Sequence, residues 1–411
     1  MILSEIIEEY ISGDWGNEEN SDDTPNEVFC VRGADFVPIL SVDYTKIPTR
    51  YICDTSYKNK QLKVGDIIIE KSGGSPTQST GRVVLVTEDL IKEKQHIVCS
   101  NFCEAFRVKK EWNPFYVFTY LQFLYNEGVF FNFEGKTSGL KNLQMEQAFN
   151  SIDIPEQKSD ISILATIDRK LALNRKINIE LEALAKEIYD YWFVQFDFPN
   201  EEGIPYKSSG GKMVWNEILK REIPDGWSDG VLEDIANITM GQSPDGSSYN
   251  ADGDGTIFYQ GSTDFGIRFP KVRMYTTAPS RLAKKGDILM SVRAPVGTTN
   301  IANCDCCIGR GLAALNSSIG SITYLYQVIK DLKAKFDIIN NGGTTFGAIN
   351  KDELHSLIVT IPDEAILSEF ESISAPIFEE QMKIGFEIEE LQSLRDFYLP
   401  LLMNGQVTIK D

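Results

Sequence analysis

The stretch Gly65-Asp66-Ile67-Ile68 recurs further along the chain as Gly286-Asp287-Ile288-Leu289. Each copy opens an apolar run that is typical of a strand. Four further matches occur in the same order: Asp35-Phe36 with Asp264-Phe265, Gly81-Arg82 with Gly309-Arg310, Gly139 and Asn142 with Gly347 and Asn350, and Ile154-Pro155 with Ile361-Pro362. Repetition in a preserved order predicts that the chain contains two versions of one module.

The spacing between matching residues is not constant. Asp264 follows Asp35 by 229 residues, whereas Ile361 follows Ile154 by 207 residues. Segments inside the two modules therefore differ in length while the ends of the modules match. Variable segments on a common scaffold are typical of loops that recognise different ligands.

A helical pattern follows each Ile-Pro pair, with steps of three and four between core positions. The first pattern consists of Leu164, Ile167, Leu171, Asn174, Ile177, Leu181, Leu184 and Ile188, and the second of Phe370, Ile373, Ile377, Ile384, Leu391, Leu394 and Tyr398. We expect helices near 156–195 and 363–402 that pair as an antiparallel coiled coil. Pro376 is expected to start or kink the second helix, because proline removes an amide donor.

Strand-like runs alternate with loops rich in glycine, serine and proline inside each module. The runs lie at 65–70, 82–86 and 287–292, and a helix is expected at 115–126. The sequence predicts a mixed α/β (α+β) fold with an internal pseudo-twofold repeat, in which two similar domains are joined and separated by two long antiparallel helices. A helix of about 30 residues is about 45 Å long, which would separate the modules by roughly one turn of B-DNA, about 34–36 Å, or somewhat more.

The charge of the chain is unevenly distributed. The 411 residues carry a net charge of -20, which at first argues against a polyanionic ligand. Residues 1–31 have a net charge of −9 and residues 363–391 of −8, whereas residues 46–82 have +4 and residues 261–310 have +5. The two modules can therefore bind DNA locally. The acidic total indicates that the chain alone binds DNA poorly and needs partners.

No apolar run approaches the roughly 18 to 20 residues of a membrane span, and the N-terminus is acidic instead of basic. These features predict a cytoplasmic protein with no membrane contact. The seven cysteines are odd in number and unevenly spaced, which indicates reduced thiols instead of a disulfide framework.

Motifs for nucleotide or methyl transfer chemistry are incomplete. Gly135-Lys136-Thr137 has the end of a phosphate-binding loop, but Phe130 and Phe131 stand where its leading glycine would fall. An amino-methyltransferase would show Asn/Asp-Pro-Pro-aromatic. Asn113-Pro114-Phe115-Tyr116 lacks the second proline and indicates a turn that leads into a helix.

The sequence support for a nuclease site or a metal site is also weak. The carboxylate–lysine groups are Asp153 with Glu156 and Lys158, and Glu134 with Lys136. They are short enough to arise by chance. The possible metal ligands are His96, Cys99 and Cys103, and the cluster Cys304, Cys306 and Cys307. Neither set has the paired spacing of a zinc site, and no nucleophile stands near His96 or His355. We predict no catalytic residue and no metal.

Two loops, 71–82 and 291–310, combine small residues, hydroxyls and cations after a predicted strand. Arginine and lysine can contact guanine edges or phosphates, and glutamine can contact adenine. An ordinary exposed connection is the alternative for either loop alone, but both loops fall in the basic windows of the duplicated modules. The predicted DNA contacts are Lys58, Lys60, Lys71, Ser72, Gln78 and Arg82 in the first module, and Arg268, Arg273, Arg281, Arg293 and Arg310 in the second.

The sequence resembles the specificity subunits of type I restriction–modification systems over essentially its whole length. The most specific stretch is Glu-Ile-Tyr-Asp-Tyr-Trp-Phe-Val-Gln-Phe-Asp-Phe-Pro at 187–199, which continues through the Lys-Ser-Ser-Gly-Gly-Lys-Met-Val of 207–214 to the Glu-Ile-Pro-Asp-Gly-Trp of 222–227. The runs 65–74 and 286–293 and Gly309-Arg310-Gly311 are similar to the family's recognition domains. The acidic stretch before Val31-Arg32-Gly33-Ala34-Asp35-Phe36 departs from the family pattern and leaves the first domain boundary open.

The resemblance implies a non-catalytic subunit whose two target-recognition domains each bind one half of a split double-stranded DNA site. It also implies two modification subunits, which bind S-adenosylmethionine and methylate adenine, and restriction subunits in the full complex. No cofactor is expected on this chain itself. Residues expected on the partner-docking helices are Leu164, Leu171, Leu181, Ile188, Ile377, Ile384 and Leu391.

The predicted domains are a first recognition domain at 1–150, a first spacer helix at 151–198, a linker with the second recognition domain at 199–360, and a second spacer helix at 361–411. Two alternatives remain open. One is a stand-alone methyltransferase or nuclease, and the other is a coiled-coil scaffold without a DNA role. The DNA target itself does not follow from the sequence, because these loops have no residue-to-base code like that of zinc fingers.

Overall fold

The chain folds into two compact units in the computed structural model, which describes residues 1–73, 78–136, 141–156, 161–341 and 347–407. Unit 1 comprises Met1–Ile177 and Ile388–Asp411, and unit 2 comprises Asn178–Glu387. Both units combine β-sheets with helices. The division of the chain into recognition domains and spacer helices stays a prediction, because the compact units divide both long helices.

Unit 1 contains ten described strands and the helices around them. The strands are β1 (Ile7–Ser12), β2 (Asn26–Val31), β3 (Thr49–Ile52), β4 (Ile67–Glu70), β5 (Ser72–Gly73), β6 (Val83–Leu85), β7 (Ile97–Cys99), β8 (Cys103–Val108), β9 (Glu134–Lys136) and β10 (Lys141–Leu143). The helices are α1 (Phe36–Leu40), α2 (Asp54–Asn59), α3 (Glu88–Glu93), α4 (Pro114–Asn126), α5 (Met145–Ser151) and the first part of α6 (Ser162–Tyr189).

The main sheet of unit 1 has the antiparallel order β1-β8-β4-β6, and a second sheet has the order β3-β2-β7 with β2 and β7 parallel. Three successive isoleucines in β4, Ile67–Ile69, are completely buried. Successive side chains of a strand point to opposite faces. Ile67 and Ile69 therefore join the core that includes α4, and Ile68 joins the core shared with β2 and β7.

Unit 2 contains the remaining elements. Its strands are β11 (Met213–Asn216), β12 (Arg221–Pro224), β13 (Ser228–Val231), β14 (Ala236–Met240), β15 (Tyr249–Asn250), β16 (Thr256–Tyr259), β17 (Tyr275–Thr276), β18 (Leu282–Ala283), β19 (Ile288–Ser291), β20 (Thr299–Ile301), β21 (Cys306–Ile308), β22 (Leu312–Ser317) and β23 (Ile358–Ile361). Its helices are the second part of α6, α7 (Leu232–Ile235), α8 (Ile322–Asn341), α9 (Lys351–His355) and the first part of α10 (Glu364–Met403).

Unit 2 repeats the topology of unit 1. Its main sheet, β14-β22-β19-β20, has the same strand order as β1-β8-β4-β6, and β16 and β21 are parallel as β2 and β7 are. The recurring Gly-Asp turn is also the same. The amide of Gly65 donates to Val86 O at 2.9 Å, and the amide of Gly286 donates to Ala302 O at 2.8 Å. The predicted duplication is confirmed at the level of individual hydrogen bonds.

Two of the sequence matches are wrong. The amides of Leu143 and Ile349 donate to Lys71 O and Val292 O, at 2.7 and 2.9 Å, so Asn142 corresponds to Ala348 and not to Asn350. β4 pairs with β6 as β19 pairs with β20, and the amides of Gly81 and Gly297 donate to Glu70 O and Ser291 O, at 3.0 and 2.9 Å. Gly81 therefore corresponds to Gly297, not to Gly309. Both glycines have positive φ, +96° and +84°, a conformation that favours glycine. The match of Gly81 failed because the segment between β4 and β6 is longer than the segment between β19 and β20, which shifts the sequence alignment.

The two long helices pack antiparallel in unit 1. Leu164 of α6 shares a buried core with Leu399 and Leu402 of α10. One turn further along α6, Asp168 accepts a hydrogen bond of 2.6 Å from Nε of Arg395, which is one turn earlier on α10. The two helices therefore run in opposite directions.

The other halves of the same helices pack in unit 2. Nε2 of Gln381 in α10 donates to Oε2 of Glu182 in α6 at 2.7 Å. A π-helical turn, Asp190–Val194, continues α6, and its Trp192 and Phe193 pack against Phe370 with ring centroids 5.7 and 4.8 Å apart. The predicted fold class, a duplicated mixed α/β chain with two long helices packed together, is confirmed.

Helix α10 does not begin at Pro376, contrary to one of the two roles expected for that residue. The helix starts at Glu364 and continues through Pro376. Buried residues on both sides, Phe370 and Ile384, hold it in place, so packing outweighs the loss of one amide donor.

Within the described ranges, no helix combines the length and apolar character needed to span a bilayer. All seven cysteines are free thiols. Burial raises the pKa of Cys30, Cys103 and Cys306 to about 12 in each case, so these thiols are unreactive at neutral pH.

Candidate nucleic-acid interface

Four strand ends meet at one edge of unit 2. The amide of Val292, after β19, donates to Gly311 O at 2.9 Å, and the amide of Gly309, after β21, donates to Tyr259 O at 2.8 Å. The amide of Gln242, after β14, donates to Ile308 O at 3.0 Å. We call this edge the unit-2 rim and define it as residues 241–243, 260–261, 280–281, 292–293 and 309–311.

Glycine is required where backbones of the unit-2 rim touch. A Cβ added at Gly241 would lie less than 3.0 Å from Gly309 O, and one added at Gly311 would lie 2.6 Å from Gln260 O. Real side chains do not come this close to a carbonyl oxygen. The glycines therefore allow the turns to stack and bring their neighbouring side chains to one surface.

The unit-2 rim gathers three of the predicted DNA contacts. Arg281, Arg293 and Arg310 are all exposed, and the part of the chain that the structure describes offers none of them a carboxylate within ion-pair distance. Exposed Gln242 and Gln260 lie among them. Three uncompensated cations on one small surface create a positive potential that attracts a polyanion.

Arg273 lies beside the rim but has a partner. Its guanidinium pairs with the buried carboxylate of Asp264. Asp264 also accepts a hydrogen bond of 2.7 Å from the amide of Gln260. Arg273 therefore helps to hold the loop that carries Gln260, while more than half of its own side chain stays exposed.

Arg268 lies at the opposite end of the sheet from the rim. Its carbonyl accepts from the amide of Ile301, which pairs with Ile288 at the start of β19. Arg268 is only 5% exposed, and its guanidinium lies 3.5 Å from Glu182 and 4.6 Å from the ring centroid of Phe378. Burial lowers the pKa of Arg268. The residue thus joins the sheet domain to the long helices inside unit 2.

Unit 1 has an equivalent edge. The amide of Lys71 donates to Phe102 O at 2.8 Å, that of Ser100 to Val31 O at 2.9 Å, and that of Asp14 to Cys99 O at 2.7 Å. These bonds match, one for one, the three that define the unit-2 rim. We define the unit-1 rim as residues 13–15, 32–33, 60, 71–72 and 100–102.

The predicted cations of the unit-1 rim are compensated by carboxylates. Nζ of Lys60 lies 3.7 Å from Asp14, and Nζ of Lys71 lies 3.0 Å from Glu104. Arg82, next to the rim, donates two hydrogen bonds of 2.8 and 2.7 Å to Glu70, which raise the pKa of its guanidinium. The unit-1 rim is therefore less positive than the unit-2 rim.

The other predicted contacts of unit 1 surround this edge. Lys58 is exposed on α2, two residues before Lys60. Oγ of Ser72 donates to Oδ1 of Asn142 at 2.5 Å. Gln78 is exposed, and its carbonyl accepts a hydrogen bond from Lys141. Residues 74–77 of the predicted recognition loop lie outside the described residues.

Sequence reasoning missed Gln242, Gln260 and Phe102. None of the three is a cation or lies in the two loops chosen as DNA contacts, and a single phenylalanine in a sequence resembles a core residue. Phe102 is 57% exposed at the tip of the unit-1 rim. The stretch Met240-Gly241-Gln242-Ser243-Pro244 carried a usable signal, because a glycine between polar residues after a strand marks a tight turn.

The predicted docking residues are only partly on the surface. Leu164, Leu171 and Ile384 are buried, and Leu181, Ile188, Ile377 and Leu391 are half-buried. Other apolar residues of the same helices and of the π-helical turn are exposed: Leu173, Ile179, Leu184, Tyr191, Val194, Ile373, Phe386, Leu394 and Phe397. The latter set offers the surface that a partner protein can contact.

The remaining polar groups do not form a reaction centre in the described residues. Nδ1 of His355 lies 2.8 Å from Glu233, and Nδ1 of His96 lies 3.0 Å from the hydroxyl of Tyr57. Among the described residues, no three His, Cys, Asp or Glu side chains are grouped as metal ligands. The rims with their exposed polar side chains are the distinctive surfaces of the two units.

A duplicated α/β chain with two matching polar rims and two long helices has the features of a DNA-recognition protein. The sequence profile described as type I restriction modification DNA specificity domain matches residues 30–183 and 224–388. The chain belongs to this family, the specificity subunits of type I restriction–modification systems.

Known relatives agree with this assignment. The chain is 30% identical over 315 residues to the specificity subunit assigned to the type I restriction enzyme MjaX of Methanocaldococcus jannaschii, covering 74% of this chain and 70% of the relative. It is 21% identical to the HindI specificity subunit of Haemophilus influenzae, covering 62% of this chain and 69% of the relative. The crystal structure of the type I S subunit from M. genitalium has the same fold, with a TM-score of 0.59, 14% identity and coverage of 98% and 95%.

The protein is therefore the DNA specificity subunit of a type I restriction–modification system. It is a recognition subunit without catalytic function, and S-adenosylmethionine belongs to its methyltransferase partners. The subunit acts in a complex with DNA and other subunits. The alternatives of a stand-alone enzyme and of a scaffold without a DNA role are thereby excluded.

Proposed function

We propose that the chain recognises a two-part DNA target, with the rim of each unit contacting one half-site. The observation that carries the proposal is the repeat of the rim itself. The same three backbone hydrogen bonds hold equivalent turns in both units, but the side chains on these turns differ. Two domains that recognise different DNA sequences require the same backbone scaffold with different exposed side chains.

In unit 2 the proposed contacts are Arg281, Arg293 and Arg310, together with Gln242. The three guanidiniums are exposed and can bind phosphates or the O6 and N7 acceptors of guanine, and the amide can bind adenine. Arg273 and Arg268, which are paired inside the unit, then act by holding the rim loop and the helices.

In unit 1 the proposed contacts are Lys58, Gln78 and Ser72, with Lys60 and Lys71 as weaker electrostatic contacts because each already has a carboxylate neighbour. Arg82, with two hydrogen bonds to Glu70, keeps the strand ends in place. DNA recognition by unit 1 then depends less on charge than recognition by unit 2 does.

We also propose that two modification subunits dock on the chain, one on each unit. Exposed apolar residues near the end of each long helix support this arrangement: Leu184 and Tyr191 in unit 2, and Leu394 and Phe397 in unit 1. Exposed apolar clusters on helices are typical protein contact sites. Restriction subunits join the same assembly in the full complex, and the acidic stretches face these partners or solvent, away from DNA.

The test is to map methylated adenines in DNA modified by the assembled complex of this chain with its modification subunits. We expect two short half-sites separated by a spacer. The triple variant Arg281→Ala/Arg293→Ala/Arg310→Ala is expected to lose recognition of one half-site while the bases required in the other half-site stay the same.

A suitable control is Lys92→Ala. Lys92 is an exposed cation in α3, which connects the far ends of β6 and β7, opposite the unit-1 rim. This variant is expected to methylate the same sites as the wild type. Methylation at a single undivided site, or an unchanged site for the triple variant, would contradict the proposal.

A further inference from the structure

The tip of the unit-1 rim differs in chemistry from the tip of the unit-2 rim. The turn Ser100-Asn101-Phe102-Cys103 corresponds to Gly309-Arg310-Gly311-Leu312, because the amides of Cys103 and Leu312 donate to Ser100 O and Gly309 O at 2.9 and 3.0 Å. Unit 1 thus presents an amide and a phenyl ring where unit 2 presents a guanidinium and a glycine.

Phe102 is one of three exposed phenylalanines among the described residues of unit 1, with Phe131 and Phe397, and of these three it is Phe102 that lies on the unit-1 rim. Phe36, Phe106, Phe130 and Phe149 are all almost completely buried, whereas Phe102 exposes more than half of its surface. Exposure of one large ring costs hydration free energy that burial in a complex would recover. The ring lies on the rim, which is the surface proposed above to contact DNA.

The backbone of Phe102 is held firmly. Its carbonyl accepts hydrogen bonds from the amides of Lys71 at 2.8 Å and Ser72 at 3.0 Å, and Ser100 at the start of the turn is bonded to Val31. Because this turn is already fixed, the backbone at Phe102 loses little conformational freedom on binding. A contact made by the ring therefore contributes more of its free energy to affinity.

The surroundings of Phe102 favour an apolar contact over an electrostatic one. The cations of the unit-1 rim, Lys71, Lys60 and Arg32, are paired with Glu104, Asp14 and Asp35, respectively. Phenylalanine recognises DNA through the methyl group of thymine or through the face of an unstacked base. Both contacts are apolar. A methyl contact reports thymine directly, whereas insertion against a base face favours the base steps that unstack most easily.

On the basis of the proposed function, we infer that Phe102 is a specificity-determining residue that contacts a base of the first half-site through its ring. Asn101 lies beside it and supplies the polar contact at the same turn. The two half-sites are then recognised by different chemistry, apolar in unit 1 and cationic in unit 2.

The experiment uses the complete complex with its modification subunits and its mapped target. Each base pair of both half-sites is changed in turn, and DNA binding is measured for the wild type and for Phe102→Ala. We expect the variant to bind the intact target about tenfold more weakly, as for the loss of one good base contact, and to become indifferent to at least one base change in the first half-site. Its response to changes in the second half-site is expected to match the wild type.

Two further measurements define the contact. Replacement of thymine by deoxyuridine in the first half-site removes only the methyl group. Loss of affinity for the wild type but not for Phe102→Ala assigns a methyl contact, and no effect on either protein, with the other expectations met, assigns contact with a base face. Phe102→Leu, which keeps an apolar side chain, is expected to retain most of the binding.

The control is Val64→Ala, because Val64 is 53% exposed and lies before β4, at the opposite strand end from the rim. Equal effects of Phe102→Ala and Val64→Ala on every probe would overturn the inference. If that result occurs while Arg310→Ala still alters the second half-site, the proposed function stands. If the wild-type complex itself shows no two-part specificity, the proposed function fails instead.

Discussion

At the scale of single residues, the rims depend on glycines as much as on the arginines beside them. Gly13 in unit 1 and Gly241 in unit 2 occupy equivalent places, and a Cβ at either would lie less than 3.0 Å from the carbonyl oxygen of the next turn, at Ser100 or Gly309. The absence of a side chain is therefore what allows both rims to close.

Gly241→Ala is expected to destabilise the protein by about 2 kcal/mol or more, because the Cβ meets rigid backbone and forces two turns apart. Gly246→Ala is the matched control, since a Cβ at Gly246 has no atom within 4 Å. The free energy of unfolding in urea provides the measurement. Equal stability of the two variants would show that the turns separate without cost.

Arg268 and Arg281 offer a contrast between a buried arginine and an exposed arginine that is proposed to contact DNA. Arg268→Ala removes a buried cation that contacts Glu182 and Phe378, and we expect a loss of stability of about 2–4 kcal/mol. Arg281→Ala removes an exposed cation of the rim, and we expect unchanged stability with weaker DNA binding. Urea unfolding and DNA titration of both variants in the assembled complex test the pair. A larger loss of stability for Arg281→Ala would reverse this assignment.

At the scale of elements, the strand order is the same in the two units, whereas the loops differ in length. The order β1-β8-β4-β6 returns as β14-β22-β19-β20, yet the segment between β4 and β6 is longer than the segment between β19 and β20. Sequence matching located the Gly-Asp turns correctly, because these turns sit at strand ends of fixed geometry. It misaligned Gly81 because loop length is not constrained by the sheet.

Some apolar residues of the two long helices are buried between the helices, and others are exposed. The periodic pattern identified core positions such as Leu164 and Ile384, which are buried, because a period of 3.6 reports one face of a helix. Leu184, Ile373 and Leu394 belong to the same patterns but are exposed, because the spacing alone does not give the direction in which each side chain points. Direction follows from the packing of the partner helix.

The double variant Leu394→Ser/Phe397→Ser is expected to leave the chain folded, because both side chains are exposed, and to reduce the number of bound modification subunits from two to one. Leu184→Ser/Tyr191→Ser is expected to remove the other subunit. Native mass spectrometry of the reconstituted complex counts the subunits. Retention of both subunits by either variant at wild-type affinity would contradict the proposed docking surfaces, and Val64→Ser serves as an exposed apolar control.

At the scale of the whole molecule, the net charge of -20 conceals two rims that differ in local charge. The acidic residues concentrate at 1–31 and 363–391, outside the rim segments of unit 2. The rim cations of unit 2 lack carboxylate partners among the described residues, whereas Lys60 and Lys71 of unit 1 have them. Electrostatic attraction to DNA should therefore reside mainly in unit 2.

Salt dependence tests this asymmetry. Each phosphate contact contributes about 0.9 to the slope of log affinity against log salt concentration. If the exposed guanidinium of Arg310 or Arg293 contacts a phosphate, its replacement by alanine is expected to reduce the slope by nearly one. Lys71→Ala is expected to reduce it less, because Glu104 already neutralises that ammonium group. Titrations of the complex at several salt concentrations give the slopes, and equal reductions for Arg310→Ala and Lys71→Ala would refute the difference between the rims.

Much about this protein follows from the order of its residues. The duplication, the two long helices, the family and the absence of a complete catalytic motif are local or periodic features, and short-range spacing is enough to report them. The roles of individual cations are not local. Arg82, Arg268 and Arg310 look alike in the sequence, but Glu70 and Glu182 lie beside the first two only after the chain folds. Charge compensation and burial depend on residues distant in sequence, so the choice between a structural and a DNA-contacting arginine is made by tertiary packing.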